Sequence, residues 1–145
     1  MDYEKIAAEL LHIRAEFARI PEHQKINEFA RGELFVLNYL LAHEGTAYPK
    51  DLSREMKVSS ARIAALLNQT EKKGWTMRTA DPDDSRQTLI TMTEEGHEAI
   101  MNRKKEIFDM VVGMLEELGP EDAQELLRIE RRIITNQKTK RETGK

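Results

Sequence analysis

The stretch Gly74–Gly96, GWTMRTADPDDSRQTLITMTEEG, constrains this chain more than any other part of it. WTMRTA and QTLITM are rich in β-formers, and the DPDDS between them carries turn chemistry. The segment reads as two short strands joined by an acidic turn, with Arg86 closing the turn. A two-stranded ribbon alone is marginally stable in water. This one must rest on helices beside it, and the flanking sequence supplies them.

Upstream, residues 33–43 (ELFVLNYLLAH) are apolar nearly all round, which predicts the most buried helix of the chain. Gly45 stops it. Pro49 suits a first helical position and Asp51 the first turn, so PKDLSREMK forms a helix ending near Val58. Ser59 is a natural N-cap for SARIAALLNQTEKK, which ends at Gly74. Ile63, Leu66 and Leu67 form its buried face, and Ser60, Arg62, Ala65, Asn68 and Gln69 face outward. Two short helices joined by a tight turn make a helix-turn-helix, and a ribbon after it is a wing. Residues 33–96 are thus expected to form a winged helix-turn-helix domain.

The flanks carry apolar stripes of their own. Residues 2–20 place Ile6, Leu10, Ile13, Phe17 and Ile20 at heptad spacing on one helix face. Pro21 ends that helix, and PEHQKINEFAR reads as a polar connector. A helix starting at Thr93, with Glu94 and Glu95 in its first turn, runs to about Leu118. It aligns Ile100, Ile107, Val111, Met114 and Leu118. Gly119-Pro120-Glu121-Asp122 breaks it and opens a last helix with Ala123, Leu126, Ile129 and Ile133. KTKRETGK, residues 138–145, is expected to be a disordered tail. A small winged core offers these stripes no partner. Residues 1–32 and 97–137 are therefore expected to form a helical dimerisation region. Its contacts would be Ile6, Leu10, Ile13, Phe17, Val111, Met114, Leu118, Leu126, Ile129 and Ile133. The fold class is mainly α (α+β): a winged helix-turn-helix with a two-stranded β-wing, plus N- and C-terminal dimerisation helices.

A length of 145 residues suits one domain. The absence of cysteine excludes disulfide scaffolding, thiol catalysis and cysteine-ligated zinc. No apolar signal core opens the chain and no run of about 18 apolar residues occurs, so a soluble, cytoplasmic protein without membrane contact is expected. The net charge of −3 argues mildly against nucleic acid. Its distribution argues the other way: residues 46–92 hold eight basic and six acidic side chains, whereas both flanks are net acidic. Phosphate binding follows the local field.

In a helix-turn-helix the second helix enters the major groove and its N-terminal residues reach base edges. Ser59, Ser60 and Ala61 are small enough to let the backbone approach, and a helix N-terminus favours phosphate. Arg62 can fork onto a guanine edge, and Asn68 or Gln69 can contact a base or phosphate. Arg86, next to Ser85 at the wing tip, can enter a minor groove, where negative potential concentrates. Asp84 lies two residues earlier and can orient it. Arg78 on the first strand can pair with Asp81 or a wing aspartate, or contact phosphate. The bland alternatives are a solvated helix face and surface ion pairs worth at most about 1 kcal/mol.

Val58–Gly96 resembles the MarR family of winged-helix regulators. The resemblance is carried by the EKKG run at Glu71–Gly74, Arg78, the DDSR wing at Asp83–Arg86 and the TEEG ending at Thr93–Gly96. YPKDLSREMKV and the helix before it fit as well, while the outer helices fit by length and order only. The resemblance implies a homodimer joined by its terminal helices. It implies palindromic operators read by the paired 59–74 helices, with Arg86 in the flanking minor grooves. It also implies control by a small-molecule effector bound between dimer helices and winged domain. Thr70 departs from the pattern, where leucine is usual, and Ala64 and Ala65 replace frequent polar or basic residues. The alanines point to fewer base and phosphate contacts.

Other constellations are weaker. Counted from Asp81 as an EF-hand loop, the sixth and twelfth positions are Arg86 and Met92, where glycine and glutamate are needed, which argues against calcium. His12, His23, His43 and His97 form no H-x-x-x-H pair. His43 is the one candidate effector or metal ligand, with Glu44, His12 or His97, and a surface or capping role fits it better. Met77, Met92, Met101, Met110 and Met114 fit core filling at their spacing. No nucleophile motif, glycine-rich phosphate loop or carboxylate pair supports an enzyme, and no cofactor is expected. The expected function is a DNA-binding transcriptional repressor. The alternative is a winged-helix protein-interaction module without DNA binding.

Overall fold

The computed structural model describes residues 1–144, and it divides into two compact units, Met1–Lys105 and Glu106–Lys145. The first begins with α1 (Tyr3–Phe17), capped by Asp2, whose carboxylate accepts the Lys5 N–H at 3.1 Å. The helix expected to run to Pro21 stops at Phe17, so Ile20 lies outside it, extended before the proline, and the residues after Pro21 are not a plain connector. They form α2 (Pro21–Asn27) and a 3-10 turn (Glu28–Ala30). The same proline that cannot continue α1 is well placed at the first position of α2.

Helix α3 (Gly32–Ala42) buries Val36, Leu37 and Leu40 completely. Gly45, at φ +83°, turns the chain out of it. Its N–H donates back to the Leu40 carbonyl at 2.8 Å. Strand β1 (Thr46–Ala47) follows, then α4 (Pro49–Met56), which ends as Lys57 takes a left-handed conformation. Helix α5 spans Ser60–Lys72.

The ribbon is β2 (Thr76–Ala80) and β3 (Thr88–Met92), paired antiparallel with Arg78 opposite Ile90. The sheet has three strands rather than two, in the order β1-β3-β2, with Ala47 opposite Ile90. A two-residue strand has no periodicity to read. It forms because β3 offers a free edge, and the Met92 N–H reaches the Gly45 carbonyl at 2.8 Å. Val36, Leu40, Leu52, Ile63, Leu66, Leu67 and Ile90 form the core under this sheet. At roughly 1.5–3 kcal/mol for each buried aliphatic side chain, this cluster holds the ribbon that would be marginal alone.

Helix α6 (Glu94–Leu118) begins in the first unit. The second unit holds the rest of α6 and α7 (Pro120–Thr143), with the turn at Gly119 (φ +86°). The expected tail at 138–145 is helical through Thr143, with Lys145 outside the described residues. Backbone bonding to the end of α7 and the Thr139 and Thr143 hydroxyls, which donate to the Thr135 and Thr139 carbonyls, extend the helix into the polar segment. Among the described residues no helix is long and apolar enough to cross a membrane.

Candidate nucleic-acid interface

The outward face of α5 is the one its periodicity predicts. Ile63, Leu66 and Leu67 are buried, whereas Ser60, Ala61, Arg62, Ala65, Asn68 and Gln69 are exposed. Ser59 caps the helix: its Oγ accepts the Arg62 N–H at 3.1 Å. That hydroxyl keeps its proton for an outside acceptor such as a phosphate. Arg62 forms no ion pair among the described residues, so its guanidinium is available.

Thr70 is fully buried at the C-terminal end of this helix. Its hydroxyl donates to the Leu67 carbonyl at 3.1 Å, and the Thr76 hydroxyl pairs with it at 2.8 Å. A threonine at this otherwise apolar position thus joins α5 to the first residue of β2.

The base of the wing is clamped by two glycines. Gly74 at φ +78° allows the chain to reverse after α5. The Thr93 hydroxyl donates to the Gly74 carbonyl and accepts the Gly96 N–H, so Thr93 caps α6 and ties it to the ribbon. Gly96 packs so tightly that a β-carbon there would lie 2.1 Å from the Trp75 carbonyl oxygen. The EKKG and TEEG runs are the two halves of this joint.

Arg78 corrects one expectation. It pairs with neither Asp81 nor another wing aspartate. Its Nε lies 3.1 Å from Glu71 Oε2, and its Nη2 donates to Asn68 Oδ1. Outward side chains on a strand next to α5 lie nearer the helix than the turn beyond, so the wing's flank is stapled to α5. Asn68 is thereby shared between this staple and any base it meets. A cleft of about 120 Å³ lies alongside, lined among others by Ser60, Ala64, Arg78 and Thr88.

At the tip, Asp84 Oδ1 accepts both the backbone N–H and the Nε of Arg86, at 3.1 and 3.2 Å. The Arg86 side chain is 90% exposed, so its outer guanidinium nitrogens face solvent. Ser85 is exposed beside it. Asp81 is instead nearly buried and accepts the Tyr48 hydroxyl at 2.7 Å. That bond, followed by the Asp83 N–H, holds the Asp81 carboxyl below the usual carboxylate range. The same bond is the main cause that raises the Tyr48 hydroxyl above its ordinary value. Tyr48 carried no signal in the sequence, because its partner lies 33 residues away.

Two further cations, Lys73 and Arg103, are already engaged. Lys73 bonds Glu33 and lies 4.7 Å from the centre of the Trp75 ring. Arg103 lies 3.9 Å from Glu28. These residues line a cleft of about 320 Å³ with Arg31 and Gly32. His43 is exposed, stacked on Tyr39 with 3.9 Å between ring centres, and its Nδ1 is 2.7 Å from the Tyr39 carbonyl oxygen. His12 sits beside Glu16. No group of three or more potential metal ligands occurs among the described residues.

The residues expected at a dimer interface are largely uncovered. Ile6, Leu10, Ile13 and Phe17 are exposed on α1, as are Met114 and Leu118 on α6 and Ile129 and Ile133 on α7. Val111 and Leu126 are half-buried.

Residues 33–111 match the family model described as a winged helix DNA-binding domain. The Bacillus subtilis regulator YdgJ, described as an uncharacterized HTH-type transcriptional regulator, is 32% identical over 97 residues. That match covers 67% of this chain and 59% of the YdgJ length. A MarR family protein from Bacillus stearothermophilus superposes with a TM-score of 0.70 at 19% identity, covering 95% of this chain and 99% of its own. A point mutant of S. aureus MepR, solved bound to an oligodeoxyribonucleotide, superposes with a TM-score of 0.61 at 18% identity over 94% and 98% of the two chains. The chain belongs to the winged helix DNA-binding domain family, and its fold is that of the MarR-type transcription regulators.

Proposed function

We propose that this chain is a homodimeric, cytoplasmic repressor that reads a palindromic operator in double-stranded DNA. One observation carries the reading: the exposed face of α5, with an unpaired Arg62, occurs together with an exposed Arg86 that an ordered turn presents. The first suits a major groove and the second a minor groove. The MepR mutant's complex with an oligodeoxyribonucleotide supports the same use of this fold. The uncovered apolar stripe of α1 supports a second copy as partner, since its positions repeat at heptad spacing. Ser59, Ser60, Ala61, Ala65, Asn68 and Gln69 complete the α5 contact surface, and Ser85 and Asp84 support Arg86. A small-molecule effector would release the DNA by preferring a different spacing of the two α5 helices, and only to the extent of its differential affinity.

Selection of duplexes from a random-sequence pool tests this, with light scattering on the same preparation. The expected winners hold inverted repeats with half-site centres about one DNA turn, roughly 34 Å, apart. The expected particle is twice the 16.8 kDa chain. A stable monomer, or a pool with no enriched inverted repeat, overturns the proposal.

A further inference from the structure

A run of hydrogen bonds leads from the start of α4 to the wing tip. Tyr48 immediately precedes α4, and its hydroxyl donates to Asp81 Oδ2 at 2.7 Å. Asp81 Oδ1 accepts the Asp83 N–H at 3.0 Å, and the Asp81 N–H donates to the Gln87 carbonyl at 3.0 Å. The Gln87 N–H in turn donates to the Asp84 carbonyl at 3.0 Å. Asp84 then holds Arg86 through both its backbone N–H and its Nε.

The turn that bends the chain towards Arg86 is therefore referred, through Asp81, to Tyr48. The remaining staples act lower down. Arg78 grips the flank of the ribbon, and Thr93 with Gly96 grips its base. Among the described residues, the Tyr48–Asp81 bond is the side-chain bond that ties the turn to another element. Asp81 is 6% exposed, so water competes weakly for that bond. Lys50 reinforces it from the side, 5.5 Å from the centre of the Tyr48 ring.

We propose that Tyr48 is a positioning residue for the wing: it fixes the Asp81–Arg86 turn against the helix-turn-helix, so that Arg86 meets DNA at a set offset from α5. The inference rests on the DNA-binding reading. Its physical effect is preorganisation. An exposed arginine on a loose turn must be ordered when it binds, and a turn already fixed lowers that cost. A merely structural tyrosine would support the fold without regard to Arg86, and this difference can be measured.

Tyr48→Phe removes only the hydroxyl. Its binding is compared with wild type, Arg86→Ala and the double variant on the best duplex that the wild-type protein selects from a random pool. Unfolding followed by the fluorescence of Trp75 checks that each variant is folded. Tyr48→Phe is expected to weaken binding about three- to tenfold, the worth of one hydrogen bond. In the Arg86→Ala background it is expected to have no further effect. In the free protein, ¹⁵N relaxation is expected to show lower order for residues 83–86 in Tyr48→Phe and unchanged order in α5. If Tyr48→Phe proves too unstable, Asp81→Ala, which removes the acceptor of the Tyr48 hydroxyl, enters the same cycle with the same expectation for binding. Equal weakening with and without Arg86, or unchanged order at residues 83–86, overturns the proposal. A duplex bound equally by wild type and Tyr48→Phe overturns it alone. A pool that yields no duplex overturns the DNA-binding reading and this proposal with it.

Discussion

At the scale of single residues, Thr70 shows how a polar side chain can serve a core position. Its hydroxyl donates to Leu67, which leaves its oxygen free to accept from Thr76. Both threonines are buried, so neither has water to fall back on. Thr70→Val keeps the shape and removes the acceptor. We expect a loss of about 1–3 kcal/mol in chemical denaturation, the penalty of stranding the Thr76 hydroxyl. Thr70→Val with Thr76→Val should recover most of that loss, because no polar group is then left unmatched. A double variant as unstable as the sum of the singles would contradict the pairing. Sequence marked Thr70 as unusual but not what it touched. The Ser59 cap and the Asp84–Arg86 contact were legible, because each joins residues two or three apart. The ion-pair partner of Arg78 was sought among the wing aspartates and Tyr48 was overlooked, because their partners lie across elements.

At the scale of elements, the helix-turn-helix and its wing could be read because local chemistry and period agree. The spacing of Ile63, Leu66 and Leu67 set the buried face of α5, and the β-formers on either side of DPDDS set the hairpin. Helix α2 was missed because PEHQKIN has no apolar stripe and begins with a residue better known for ending helices. Strand β1 was missed because two residues carry no pattern, and its pairing is decided by the edge of β3. The joint between β2 and α6 depends on backbone proximity that only glycine permits. Gly96→Ala would drive a methyl group into the Trp75 carbonyl. We expect it to destabilise the domain by about 1–3 kcal/mol, in the range of overpacked sites. Thermal unfolding monitored by Trp75 fluorescence reads the effect directly, since the indole sits at the joint. An unchanged midpoint would mean that α6 is not held against the ribbon in solution.

At the scale of the molecule, the charge balance is more telling by region than in total. The net −3 belongs to the flanks, while the central third is positive. Much of that positive charge is engaged: Lys73 with Glu33, Arg78 with Glu71, Arg54 with Asp51. Arg62 and the outer nitrogens of Arg86 are among the charges left for a phosphate-lined partner, with Lys57 and Lys72. The apolar stripes on the terminal helices were legible by period, and the proposed dimer would cover them with a second copy of the chain. DNA binding as proposed requires the wing arginine to contact DNA from both copies of a dimer. The direct measurement is the salt dependence of binding to the selected duplex, for wild type and Arg86→Ala, between about 50 and 200 mM salt. Weaker binding by the variant is expected at every salt concentration. Its log–log slope is expected to be shallower by about 2, one lost contact from each wing. Equal affinity and equal slope for the two proteins would contradict a wing that touches DNA.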